Sequence, residues 1–421
     1  MAVVDEHLAR SLQRAAAKGR IRDEAIRLFT HAKANPRQAG RILAKGLRAL
    51  RGLHSRDRRA LGDRLYWWIR HDALLVHALQ TNDPFSCWLG LLVHKGLPAS
   101  EAIGLWEAEG LGNPPPFART LPLPEPTSLA MLGSIHPNIA DRLSRDFGEE
   151  ADAFLRASNQ RAPMTLRANR HKGCRDTLAQ RLQREGVETR PGRWSADALE
   201  VIGRCHAPSL ESYREGLFEV QDEGSQLLSE LVTTRGPILD LCAGAGGKSL
   251  AMASRGLGPI TATDVRRRAL QELSQRAKRS QLNIHTQPIE ADRLPQNLQA
   301  MRFGCVLVDA PCSGFGVLRR HPEHRWLLDD ARLLELNAIQ DALLERAVSV
   351  TQPGGEIVYG TCSVLKEENG ERIERFLTRH PDWRVVSAPT QAETRDGPFL
   401  SLSPHQHGTD GFFGAILRAP E

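Results

Sequence analysis

Apolar positions in the first hundred residues recur at helical spacing. Leu8, Leu12 and Ala15 share one face, and Ile42, Leu43, Leu47 and Leu50 share another. Leu61, Leu65, Trp68 and Ile69 continue the pattern before Leu74 and Leu75, with no alternating strand pattern in competition. Over 112–127 the rhythm stops at Pro114, Pro115, Pro116, Pro122, Pro124 and Pro126, which cannot occupy a helix interior and predict a linker over 113–127. Helical spacing returns over 128–160, with Ile139, Leu143 and Phe147 on one face. A short mixed segment follows, with strands expected at 164–169, 187–190 and 199–202 and a helix at 176–186.

From about 237 short apolar runs alternate with helical stretches. Strands are expected at 237–242, 260–264, 305–311 and 356–361, and helices at 266–281 and 327–350. That rhythm predicts a doubly wound α/β domain, whose parallel sheet is covered on both faces and binds ligands at the carboxyl ends of its strands. The expected order is a helical domain over 1–112, the linker over 113–127, a small helical plus α/β module over 128–216, and the doubly wound domain over 217–421.

Composition narrows the class. A hydrophobic share of 41% with 25% charged residues describes a globular chain, and no apolar run reaches the roughly 18–20 residues of a membrane span. The amino terminus carries early acids and no apolar core of a secretory signal, so a cytoplasmic location is expected. Seven scattered cysteines include no C-x-x-C, so neither a metal site nor a disulfide framework is expected. Residues 1–100 hold 18 Lys and Arg against 8 Asp and Glu, whereas the rest of the chain is slightly acidic. A basic helical end on a near-neutral body fits a module that binds a polyanion, and a solvated basic surface is the plain alternative.

The turn Asp240-Leu241-Cys242-Ala243-Gly244-Ala245-Gly246-Gly247-Lys248-Ser249 has three possible ligands. A phosphate-binding loop needs glycine where Cys242 stands, and a dinucleotide turn needs glycine or alanine where Ser249 stands. The third ligand, S-adenosylmethionine, suits the small residues Ala243, Gly244, Ala245, Gly246 and Gly247. Asp264, ending the next strand, is the candidate for the ribose hydroxyls, and Asp292 for the adenine end. Cys242 is read as lining the pocket without reacting.

Two further strands end in Asp309-Ala310-Pro311-Cys312-Ser313 and Tyr359-Gly360-Thr361-Cys362-Ser363. Thiols beside an adenosyl-cofactor site suit covalent catalysis on a pyrimidine. Adding a thiolate to carbon 6 of cytosine makes carbon 5 nucleophilic enough to take a methyl group, and a base must then remove the carbon 5 proton. Lys248 is a candidate for the positive charge that favours a thiolate, and Asp309 for a contact to the cytosine edge. Cys87, Cys174, Cys205 and Cys305 read as ordinary structural cysteines.

These residues resemble the RNA 5-methylcytosine methyltransferases of the Sun/Fmu superfamily over roughly 128–421. The likeness rests on Gln221-Asp222-Glu223-Gly224-Ser225-Gln226, the turn 240–249, and the long match from Asp309 through Arg319-Arg320-His321-Pro322-Glu323 to Trp326. It extends to 359–363 with Glu367-Glu368-Asn369, and to Asp410-Gly411-Phe412-Phe413-Gly414-Ala415. The turn departs from the family pattern at Ala245 and Ser249, where proline and threonine are usual. The resemblance implies a Rossmann-like methyltransferase domain that uses S-adenosylmethionine, with Cys362 as nucleophile and Cys312 assisting product release. It also implies cofactor contacts from the 242–248 loop, Asp264, Asp292 and Asp309, and no metal. Likeness around Ile135-His136-Pro137 and Asn159-Gln160-Arg161 points to members acting on small-subunit ribosomal RNA, which carry a helical NusB-like RNA-binding domain. The rival expectations are the same chemistry on transfer RNA and a non-catalytic RNA-binding assembly factor.

Overall fold

A computed structural model of the chain describes residues 6–17, 19–234, 236–389, 392 and 397–421. The reading of residues 1–5 against a secretory signal lies outside them. The chain divides into two compact units: Met1–Gln160 with Leu318–Asp330, and Arg161–Val317 with Ala331–Glu421.

The first unit is helical. Its helices are α1 (Glu6–Ala16), α2 (Arg20–Ala34), α3 (Ala39–Ala49), α4 (Ser55–Leu79), α5 (Pro84–His94), α6 (Ala99–Ala108), α7 (Leu129–Gly133), α8 (Pro137–Phe147) and α9 (Glu150–Ser158). The apolar stripe of α2 (Ala25, Leu28, Phe29 and Ala32) is buried, as three-four spacing requires. Phe29 stacks on Trp68 of α4 with ring centroids 3.7 Å apart. Trp88 of α5 is fully enclosed and donates its indole N–H to the Ala15 carbonyl at 2.9 Å, so its one polar atom is satisfied. Helix α5 begins where Asp83 accepts the Ser86 N–H at 2.7 Å and Pro84 takes the first turn.

The stretch 113–127 does not separate two bodies. Its prolines prevent a long helix, yet Phe117 and Thr120 form a buried 3-10 turn in the same core as Trp106. The Thr120 carbonyl also lies 3.1 Å from His94 Nδ1. The helices of 128–160, assigned from sequence to a separate module, likewise belong to the first unit. Proline excludes regular structure locally; it does not exclude burial.

The second unit contains two sheets. The smaller has strands β1 (Thr165–Ala168), β2 (Thr189–Pro191), β3 (Ala198–Val201) and β4 (Phe218–Val220) in the antiparallel order β2-β3-β1-β4. The helix Arg175–Arg184 contributes Leu178 and Leu182 to its core. The larger sheet is built from β5 (Ile238–Asp240), β6 (Ile260–Asp264), β7 (His285–Pro288), β8 (Phe303–Asp309), β9 (Thr351–Thr361), β10 (Arg384–Val386), β11 (Leu400–Leu402) and β12 (Phe412–Arg418). Its order is β10-β12-β9-β8-β5-β6-β7, with β11 paired to β12. Strands β5 to β9 are parallel, while β12 runs antiparallel to β9. The buried apolar runs of β8 and β9 suit strands covered on both faces. The chain winds from β5 through β6 to β7, then returns to the other side of β5 as β8, so the order reverses between β5 and β8. A crevice at such a reversal is where open α/β sheets bind ligands.

Candidate active site

The glycine turn leaves β5 at this reversal. Gly246 adopts φ 83°, and a Cβ there would lie 2.0 Å from Leu273 Cδ1, so glycine is required twice over. The helix Gly247–Ser254 follows directly. At the end of β6, Asp264 accepts the Gly244 N–H at 2.8 Å, and the Arg266 N–H and Nε at 2.8 and 3.0 Å. Burial pushes this carboxyl up, but the Arg266 and Gly244 donors outweigh it and hold it below the usual carboxylate range. Ala243 and Ala245 add only methyl groups to this cradle. Cys242 lies within it, its thiol held well above the ordinary range by burial and by Asp240, Asp309 and Asp264. Asp292 stands four residues beyond the end of β7. It is exposed on the loop after β7, on the wall of a cavity of ≈ 600 Å³ that Arg293, Glu345 and Arg346 also line.

Lys248, in the first turn of its helix, is buried and reaches Asp309 at the end of β8, with Nζ 2.6 Å from Oδ2. Burial opposes the ammonium, yet attraction to Asp309, and further to Cys362 and Asp240, holds its pKa above the ordinary value. The two thiols come together because β8 and β9 are parallel neighbours in which Asp309 is paired with Gly360. The chains leaving these strands carry Cys312 and Cys362 to the same place, and their Sγ atoms lie 3.3 Å apart, a hydrogen-bonding distance for a thiol pair. Both cysteines are free and half-buried. The bond to Cys362, burial, and the charges of Cys362 and Glu368 push Cys312 well above the ordinary thiol range. Gly316 packs tightly behind Cys362: its N–H donates to the Cys362 carbonyl at 2.9 Å, and a Cβ there would meet the Gly411 carbonyl oxygen at 2.1 Å.

Residues without an assigned role in the sequence complete the site. Glu368 is wholly buried and bonded to Ser313, the residue after Cys312. Arg167 of β1 donates to the Gly247 carbonyl at 2.9 Å, and Arg276 donates to the Ala245 carbonyl at 2.6 Å. Glu368 stands in the run Glu367-Glu368-Asn369, and a charged residue so close behind a strand-end cysteine was the available signal. Arg167 and Arg276 carry no local signal, because their partners lie far away in sequence. In the first unit, His321, Glu323 and His324 bring possible metal-ligating atoms within 4.8 Å of one another, the one such group among the described residues. Its two imidazoles stack nearly parallel (5.1 Å, 16°) and His321 pairs with Glu323 at 3.5 Å.

Comparison with known proteins places this geometry. The family model described as 16S rRNA methyltransferase RsmB/F matches residues 231–418, and that of the RsmF/B-like ferredoxin-like domain matches 136–207. The chain is 32% identical over 289 residues to ribosomal RNA small subunit methyltransferase B of Serratia proteamaculans, covering 67% of this chain and 66% of that protein. It is 34% identical over 287 residues to the protein of the same description from Citrobacter koseri, with the same coverage. The chain thus spans about two thirds of the length of these relatives. Among solved structures, PH0851 shares the fold over 94% of this chain and 98% of its own (TM-score 0.75, 24% identity). A methyltransferase homologue from Pyrococcus horikoshii matches over 67% of this chain and 94% of its own (TM-score 0.58, 25% identity). With its glycine turn at the strand reversal and its ferredoxin-like sheet alongside, this chain belongs to the RsmB/F methyltransferase family.

Proposed function

We propose that the protein methylates carbon 5 of a cytosine in small-subunit ribosomal RNA, using S-adenosylmethionine and a covalent cysteine–cytosine adduct. The observation that carries this reading is the 3.3 Å thiol pair next to the Lys248–Asp309 ion pair. The site fits the cofactor: small residues 243–247 form a close-approach turn, and Asp264 supplies a carboxylate one strand away. When bound, S-adenosylmethionine supplies a methyl group on a sulfonium. Cys242, Ala243, Gly244, Ala245, Gly246, Gly247 and Lys248 form its bed in this proposal, with Asp264, Asp292 and Asp309 as further contacts.

The chain's own residues supply the remaining chemistry. Cys362 acts as a thiolate; its sulfur bonds to carbon 6, and the electron pair of the 5,6 double bond moves toward carbon 5. Asp309, oriented by Lys248, accepts a hydrogen bond from the amino group at the cytosine edge. After methyl transfer, Cys312 as thiolate takes up the carbon 5 proton. The carbon–hydrogen electron pair restores the double bond, the sulfur–carbon 6 bond breaks, and Cys362 leaves as thiolate. The basic helical unit is proposed to bind the RNA. The test uses ribosomal RNA and radiolabelled cofactor. Cys362→Ala should transfer no methyl group, whereas Cys312→Ala should accumulate a protein–RNA adduct that survives denaturing electrophoresis. Turnover by Cys362→Ala would refute the nucleophile assignment.

A further inference from the structure

The β8–β9 ladder ends at the Asp309–Gly360 pair, and both cysteines lie beyond it on irregular chain. Strand pairing alone therefore does not hold the thiols in register. A second set of bonds ties the two segments together, and it centres on Glu368. One carboxylate oxygen accepts the Ser313 N–H at 2.8 Å and the Gln340 carboxamide at 3.1 Å. The other accepts the Ser313 hydroxyl at 2.5 Å, and that hydroxyl lies 3.1 Å from the Ser363 hydroxyl. Gln340 also donates to the Pro311 carbonyl at 3.0 Å, and the Glu368 carbonyl accepts the Tyr359 hydroxyl at 2.7 Å. Next to it, Asn369 donates to the Ser363 carbonyl at 3.1 Å and lies 2.6 Å from the Thr361 hydroxyl. Each serine directly follows one of the thiols.

Burying a carboxylate is costly unless its oxygens are satisfied, and satisfied networks fix one geometry. We propose that Glu368 is a positioning residue that fixes Cys312 against Cys362 through Ser313 and Ser363, an inference that rests on the covalent mechanism above. It touches neither substrate nor cofactor in this role. The buried network transmits its geometry to both sulfurs across one residue.

Two variants separate the staple from general packing. Glu368→Gln keeps an oxygen for the Ser313 N–H and an amide that can donate to the Ser313 hydroxyl oxygen, whereas Glu368→Ala removes both arms. Three measurements are made on the full chain: cofactor binding by calorimetry, single-turnover methyl transfer to ribosomal RNA, and closure of the Cys312–Cys362 disulfide by diamide in the protein alone. In the last, diamide takes two electrons and two protons from the thiol pair as the sulfur–sulfur bond forms, and is reduced to the hydrazine. Glu368→Ala should slow disulfide closure and lower methyl transfer by about a hundredfold, the order expected of a misplaced reacting group, with cofactor affinity unchanged. Glu368→Gln should recover most of both.

Closure at the wild-type rate in Glu368→Ala would overturn the proposal. So would a loss of cofactor affinity in step with turnover that Glu368→Gln does not recover, because that pattern marks general damage. Should Glu368→Ala fail to fold, Ser313→Ala removes the hydroxyl arm alone and must slow closure for the proposal to stand. Wild-type protein that methylates no cytosine would defeat the functional reading, while the diamide measurement would still decide the positioning role.

Discussion

Asp240 ends β5 with its side chain enclosed; one carboxyl oxygen accepts the Ser249 hydroxyl at 2.5 Å and the other has no partner. Burial lifts its pKa from the ordinary 3.8 to about 7, with Asp309 and Asp264 adding to the rise against Ser249 and Lys248. A carboxyl raised on folding adds stability that is fully present below its unfolded value and is lost as pH rises through its folded value. Asp240 therefore favours the folded state near pH 4 and loses that contribution on the way to about pH 7. Asp240→Asn has no such titration, so its stability relative to the wild type should increase across this window. Urea unfolding at several pH values measures this, and parallel pH profiles would count against it.

At the scale of elements, the glycine turn is held by neighbours from outside its own strand–helix unit. Arg167 of β1 donates to the Gln221 side chain at 2.7 Å as well as to the Gly247 carbonyl. Arg276, on the helix Arg267–Ser280, donates to the Ala245 carbonyl while Glu219 of β4 accepts its guanidinium at 2.9 and 3.1 Å. The smaller sheet thus braces the turn through both arginines. Arg167→Met keeps much of the volume but leaves the Gly247 and Gln221 acceptors short of a donor, at a cost of about 1–3 kcal/mol each when buried. If about 1.4 kcal/mol of that cost falls on the turn, calorimetry should show a roughly tenfold weaker affinity for S-adenosylmethionine. Unchanged affinity would mean that the turn holds its shape without the smaller sheet.

For the whole molecule, the division into units changes where function can be probed. A cut at residue 112 would open the core that Trp106, Phe117 and Trp326 share, so it does not cleanly remove an RNA-binding appendage. The excursion Leu318–Asp330 is built into that unit: Arg325 is buried there, donating to Asn159 Oδ1 at 3.2 Å and to the Arg70 carbonyl at 3.0 Å. Surface charge is the better probe. Arg48, Arg51, Arg56 and Arg59 are exposed on or beside α3 and α4. Changing all four to Gln should preserve the melting temperature and weaken RNA binding, lowering the salt slope by about one for each phosphate no longer neutralised. The same slope in the variant would remove this surface from the RNA interface.

Much of the large sheet was legible because its signals are local. Buried strands are apolar runs bounded by turn residues, and β6 spans Ile260–Asp264 as its pattern predicts. The ends of these strands carry the proposed site, so the glycine turn, Asp264, Asp309, Cys312 and Cys362 could be named from sequence. Strand neighbours were not legible, because pairing is selected by burial between segments far apart in the chain. The parallel pairing of β8 with β9 brings the chain segments of two thiols fifty positions apart to the same place, where the sulfurs lie 3.3 Å apart. The same distant burial seals the proline-rich stretch into the helical core, sets Arg167 beside the turn, and gives Glu368 its partners. The sequence by itself determined which reactive groups stand at which strand ends, since those signals are short-range. Tertiary structure decided which of them meet and what holds them there.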